Sequence, residues 1–217
     1  MSDANPIVRK VAVRFAKLGR ARFLSHHDVM RCCERAVRRA GLPVRCSEGF
    51  NPRPRLVFLH PLGLGIASQC EEMEIELIRA VPPAEILARL QAELRPVLDP
   101  LAATAIPPRR RPRRVVASMY AARGWPDAAR LAAATADLLA RSEAPLRRER
   151  DGEVREVDVR RALDTARVED GILWLRLIHR AEGGGRVEDV IRWLAEAAGA
   201  DACGIDVEKR EMEVAWE

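Results

Sequence analysis

Side chains able to do chemistry crowd into one stretch of this 217-residue chain, Ser25 to Ser68. It opens with SHHDVMRCCERAVRRAG (25–41), in which His26 and His27 stand beside the free backbone N–H groups of a helix start, a setting that favours anions. Adjacent histidines on a helix point about 100° apart, so at most one of them faces a given site. With His60 they raise general acid–base chemistry or metal binding. Their spacing fits no zinc pattern, and Cys32 and Cys33 cannot both face one ion from a regular helix, so no metal and no cofactor is expected. Arg31, Arg35 and Arg38 fall at i, i+4 and i+7 and share one solvent-facing stripe.

SEGFNPRPR (47–55) is the most informative segment. Gly49 permits a backbone angle closed to other residues, while Pro52 and Pro54 fix φ on both sides of Arg53. The result is a stiff loop that aims Phe50, Asn51 and Arg53, an aromatic, an amide and a guanidinium suited to stacking on a base or gripping a phosphate. The competing reading is a structural turn, and Phe50 itself is expected in the core. HPLGLGIAS (60–68) has Gly63 and Gly65 but neither a GxGxxG nor a Walker A arrangement, and reads as a turn between strands. Glu72, Glu74 and Glu76 alternate onto one strand face, where solvent or arginines would meet them, and Trp125, Trp174, Trp193 and Trp216 are expected in the core of the second half.

The elements that must hold these residues follow from periodicity. VAVRFAKLG (11–19) alternates apolar and polar residues as a half-buried strand does. Ser25 is a good N-cap, Asp28 completes a capping-box-like start, and Val29, Met30, Cys33, Val37 and Ala40 form the apolar face of a helix that Gly41 ends. LPVRC (42–46) and RLVFL (55–59) read as short strands, EMEIELIRA (72–80) as a clear one, then a helix opening at Pro82–Pro83 and a strand within 97–106. After the linker IPPRRRPRR (106–114) the order returns: strand 114–122, helix 126–141, strands 155–163 and 172–180 joined through Asp170–Gly171, helix 186–198, strand 203–215. The expected fold is α+β, two ferredoxin-like β-α-β-β-α-β halves arising by duplication: 1–108, a Pro/Arg linker 109–113, and 114–217.

Composition narrows the function classes. No apolar run is long enough for a membrane span, and MSDANPIVRK lacks the apolar core of a signal peptide, so a cytoplasmic protein is expected. Five cysteines without a CxxC pair suggest reduced thiols rather than a disulfide frame. Residues 1–114 carry 21 Lys/Arg against 11 Asp/Glu, whereas 115–217 carry 16 against 21, so the basic half is the one expected to meet a polyanion.

RFLSHHDVMRCCERAVRRAGLPV, SEGFNPRPRLVF, PLGLGIAS and EEMEIEL together resemble a bacterial family, the radical-SAM-linked or radical-SAM-associated domain, over about residues 10–80. Members stand alone, or are fused behind or encoded beside a radical SAM protein with a cobalamin-binding-type domain, so the resemblance implies such a partner. Ser25, His26, Asp28, Arg31, Arg38, Ser47, Gly49, Phe50, Asn51, Pro52, Pro54, Pro61, Leu62, Gly65 and Ser68 match the pattern. His27 stands where leucine is usual, which speaks against a catalytic His27, and Arg53 stands where histidine is usual, keeping a cation there. Without a CxxxCxxC cluster the chain is not itself a radical SAM enzyme.

The leading expectation is a non-catalytic accessory module that binds RNA or presents a substrate. Its surface would use Ser25, His26, Arg31, Arg35, Arg38, Ser47, Phe50, Asn51, Arg53 and Arg55, with the linker arginines adding phosphate contacts. The enzyme alternative is a metal-independent RNA endonuclease with His26 as general base and Arg53 or Arg55 stabilising the phosphorane. A third reading is a protein adaptor that touches no nucleic acid.

Overall fold

The computed structural model describes residues 9–107, 112–150, 152–180 and 186–217. Arg109 to Arg111 of the expected linker, and the N-terminal stretch 1–8, lie outside them. The chain has mixed α and β structure and divides into two compact units, Met1–Arg114 with Trp216–Glu217, and Val115–Ala215.

In the first unit the order is β1 (Arg9–Lys17), α1 (His26–Arg39), β2 (Leu56–Phe58), β3 (Ala67–Leu77), α2 (Pro83–Leu94) and β4 (Asp99–Ile106). The strands lie β4-β1-β3-β2, all antiparallel, with Val11 opposite Ile75 and Val13 opposite Met73. Period-two alternation sends Val11, Val13 and Phe15 of β1 and Met73, Ile75 and Leu77 of β3 to one face. There they pack with Val29, Cys33, Ala36 and Val37 of α1 and with Ile86, Leu90 and Leu94 of α2, so both helices cover the same side of the sheet. Met30 and Ala40 of the expected apolar face are only half-buried, and Ala36 takes the central place instead.

Helix α1 starts and stops where its sequence dictates. Ser25 Oγ accepts the Asp28 N–H at 3.2 Å while Asp28 Oδ2 accepts the Ser25 N–H at 3.2 Å, a reciprocal capping box. At the other end Gly41 takes φ +60°, Leu42 N–H donates to the Val37 carbonyl at 3.2 Å and Gly41 N–H to that of Arg38 at 3.1 Å, which is a Schellman closure. The expected strand 42–46 does not form. Pro43 has no N–H to give, and the segment makes only isolated bridges, Val44 to Leu77 and Cys46 to Pro54.

The second unit runs β5 (Arg113–Arg123), α3 (Ala128–Ala140), β6 (Pro145–Arg150), β7 (Glu153–Asp158), β8 (Leu163–Glu169), β9 (Ile172–Ile178), α4 (Val187–Ala198) and β10 (Asp206–Trp216). Its sheet order is β10-β5-β9-β8, and β6 and β7 form a separate two-stranded ribbon. This corrects the strand expected at 155–163. Asp170 and Gly171, both at positive φ, make a two-residue turn, and such a turn demands that the strand before it end at Glu169, opposite Ile172. None of the four tryptophans is buried, a second correction. Arg113, Arg141 and Arg167 lie over Trp216, Trp193 and Trp174 with 5.4–5.9 Å from guanidinium carbon to ring centre, so guanidinium groups cover rings that the core does not. Among the described residues no helix is long and apolar enough to cross a membrane.

Candidate nucleic-acid interface

The segment 45–55 is a hairpin held from several sides. Arg45 N–H donates to the Glu76 carbonyl at 2.7 Å and Arg55 N–H to that of Arg45 at 2.8 Å. Nearer the tip, Ser47 N–H donates to the Arg53 carbonyl at 2.8 Å and Arg53 N–H to Ser47 Oγ at 3.0 Å. Ser47 therefore braces the loop from both its backbone and its hydroxyl. Gly49 at φ +118° turns the tip, a conformation a side chain would strain. Phe50 lies on that tip at 106% relative exposure, with Asn51 and Arg53 exposed beside it. The core position expected for Phe50 is thus overturned: the loop closes on itself through Ser47 and leaves its ring in solvent.

Helix α1 lies alongside this segment in the opposite sense. The His26 ring meets Phe58 edge-on at 5.4 Å at one end of the helix, and Arg38 Nη2 donates to the Pro52 carbonyl at 2.8 Å at the other. Arg31, Arg35 and Arg38 are all exposed, and the stripe they form ends at the hairpin. Arg38 serves to dock the loop. Arg31, Arg35 and Arg53 make no ion pair and no side-chain hydrogen bond among the described residues, so three guanidinium groups stand open to solvent.

Arg55 is differently placed. Its Nη1 lies 3.9 Å from Glu76 Oε2, as does that of Arg45, while Lys10 Nζ is 3.5 Å from Glu76 Oε1. Arg113 reaches Glu72 at 2.6 Å and Glu74 at 3.2 Å. The alternating glutamates are therefore neutralised by cations, as their spacing suggests, and Arg55 is engaged in holding the hairpin base.

Ser25 and Asp28 cap the helix, and the Ser25 hydroxyl and N–H hold the Asp28 carboxyl below the usual carboxylate range. His26 belongs to a second cluster that sequence reading did not assemble. Burial first, then His27, holds its imidazole below the ordinary value; Glu71 acts in the opposite sense and Lys17 adds to the lowering. Lys17 and Glu71 are 2% and 7% exposed. Glu71 sits opposite Phe15 and is in phase with Met73, Ile75 and Leu77; Lys17 follows Phe15 beyond a bulge and pairs with Ser68. Charges in phase with a buried apolar set are a signal that was present in the sequence. Lys17 and Glu71 thus act on the His26 ring at the start of α1. Among the described residues no group of His, Cys, Asp and Glu is arranged to hold a metal ion.

No curated protein matches the chain. A bacterial family described as "Uncharacterized protein conserved in bacteria (DUF2344)" has a sequence pattern that matches residues 10–187, from β1 to the first residue of α4. The chain belongs to that family.

Proposed function

We propose that the chain is a non-catalytic, cytoplasmic accessory module of a radical SAM system, and that its first unit binds single-stranded RNA. One observation carries the RNA reading: a fully exposed Phe50 on a stiff hairpin tip, beside the open guanidinium groups of Arg31, Arg35 and Arg53. An aromatic ring in water gains by stacking on an unpaired base, and arginines along the adjacent helix meet the phosphates that follow it. Asn51 adds an amide able to read a base edge. The radical SAM partner rests on the motif resemblance of residues 10–80. The β-α-β-β-α-β order of the first unit, and the same order interrupted by the β6–β7 ribbon in the second, support two ferredoxin-like halves.

Photo-crosslinking tests the RNA surface. With 4-thiouridine-labelled single-stranded RNA, the crosslinked peptide should contain Phe50. Crosslinks confined to residues 115–217 would reject the surface. The partner is tested separately, by pull-down of a radical SAM protein with a cobalamin-binding-type domain encoded beside this chain.

A second reading has its own observation, the His26–Lys17–Glu71 cluster, since an imidazole with a lowered pKa is neutral at pH 7 and can accept a proton. It fits an endonuclease less well. Arg38 docks on Pro52 about 18 Å along the helix from His26 by the α-helical rise, which separates Arg53 from the imidazole, and Arg55 is drawn to Glu76. A His26→Ala variant that binds RNA as before but loses an RNA-cleaving activity of the wild type would favour this reading.

A further inference from the structure

Of the chain's four phenylalanines, Phe15 is in the core of the first unit and Phe58 packs against that core. The other two are left in solvent, one at each end of α1: Phe50 on the hairpin that Arg38 docks, and Phe23 just before the Ser25 cap. Phe23 ends a short 3-10 turn, Gly19–Phe23, and is 66% exposed. That turn is latched to the loop before β3. Gly65 N–H donates to the Arg22 carbonyl at 2.9 Å, and Arg22 Nε donates back to the Gly65 carbonyl. The latch brings exposed Leu64 up to the turn, and the Arg22 guanidinium lies over the Phe23 ring, 5.7 Å from its centre. Large apolar side chains fixed in solvent at one place mark a contact surface.

The charge at this end of α1 matches that at the hairpin end. No Asp or Glu occurs in residues 4–27 or 49–70. Arg20 is exposed and makes no ion pair or hydrogen bond among the described residues, and Arg53 is in the same state beside Phe50. Between the two ends lie Arg31 and Arg35, open along the helix. Of the two acids of α1, Asp28 is taken up by the Ser25 cap and Glu34 is half-buried. An apolar pocket on a protein would cover the rings but leave these guanidinium groups without partners. A polyanion that carries aromatic bases satisfies both.

We propose that Phe23 and Arg20 form a second stacking station for RNA, so that one strand runs along α1 from Phe50 to Phe23; this inference rests on the RNA reading above. The 14 residues of α1 rise about 20 Å, so only a strand longer than a single station holds can reach both ends. The two stations then act as linked sites. A long strand gains affinity because its second contact is intramolecular, and a short one cannot.

Fluorescence anisotropy of the whole chain with labelled oligouridylates of about four and about twelve nucleotides tests it, both lengths lying within the usual range of single-strand sites. Wild type should bind the longer strand roughly tenfold or more tightly than the shorter. Phe23→Ala should weaken the longer strand about fivefold or more and the shorter by no more than about twofold, while Phe23→Trp keeps the wild-type affinity. Arg20→Gln should weaken the longer strand as well and make its salt slope shallower by about 0.7, and it carries the test if Phe23→Ala fails to fold in a thermal melt. A folded Phe23→Ala protein that binds the longer strand as wild type does, or loses affinity equally for both lengths, would overturn the second station. In that case Phe50→Ala would still weaken both lengths and the RNA reading would stand. Failure of wild type to bind either length would overturn the RNA reading and the second station together.

Discussion

Replacing Phe50 by alanine separates a ring that works for the fold from one that works for a ligand. At 106% relative exposure the ring removes no apolar surface from water, so the variant should unfold within about 0.5 kcal/mol of wild type. A core phenylalanine truncated in the same way would cost about 3–5 kcal/mol. Against RNA the order reverses. Stacking on one base is worth about 1–3 kcal/mol by alanine substitution, so the dissociation constant should rise roughly 5- to 150-fold. Phe50→Trp keeps a ring at the tip and should hold the wild-type affinity or better it. Urea unfolding gives the first quantity, and fluorescence anisotropy with a labelled single-stranded RNA the second. A variant that loses more than about 2 kcal/mol of stability yet binds RNA as wild type does would refute the reasoning, since the ring would then be a packing residue.

Other residues give sharp expectations of their own. Ser25→Ala removes one half of the α1 capping box and should cost about 1 kcal/mol in urea unfolding, with Ser25→Asp recovering most of it. In the second unit Asp189 is 6% exposed and takes a two-pronged ion pair from Arg148 of β6 together with the Arg186 N–H at 3.1 Å. Asp189→Ala should therefore cost about 3–5 kcal/mol and lower the melting temperature clearly, because Arg148 is left without its partner. His179, hydrogen-bonded to Ser118 at 2.9 Å, is held down to about 4 from 6.5, by burial first and by Lys209 second. Between those values the unfolded chain takes a proton that the folded one refuses. Stability should accordingly be full above pH 6.5 and fall as pH drops toward 4, with a shallower fall in His179→Gln thermal melts.

How much of this was written in the sequence depends on whether the deciding contacts are local. The start and end of α1 are local: Ser25, Asp28 and Gly41 carry their own hydrogen-bonding and backbone logic, and the helix begins and ends where they place it. The Asp170–Gly171 turn is equally local. Applied strictly, it would have moved the preceding strand from 155–163 to Leu163–Glu169. Phe50 is different, because a stiff loop can turn its aromatic residue inward or outward, and the choice is made by Ser47 closing the loop across to Arg53. Trp216 and Trp193 illustrate the same limit, since their rings are shielded by arginines distant in sequence, Arg113 and Arg141. Lys17 and Glu71 were legible through their phase with the buried strand residues, but their meeting with His26 depends on how α1 crosses the sheet.

The most direct test of the central claim is the salt dependence of single-stranded RNA binding, measured for wild type and for the Arg31/Arg35/Arg53 triple alanine variant. Each phosphate contact on a single strand contributes roughly −0.7 to the slope of log affinity against log salt. Wild type should bind tightly at low salt, and a folded triple variant should bind much more weakly, with a slope shallower by up to about 2. Equal affinities and equal slopes for the two proteins would contradict it, and would take RNA away from the α1–hairpin surface.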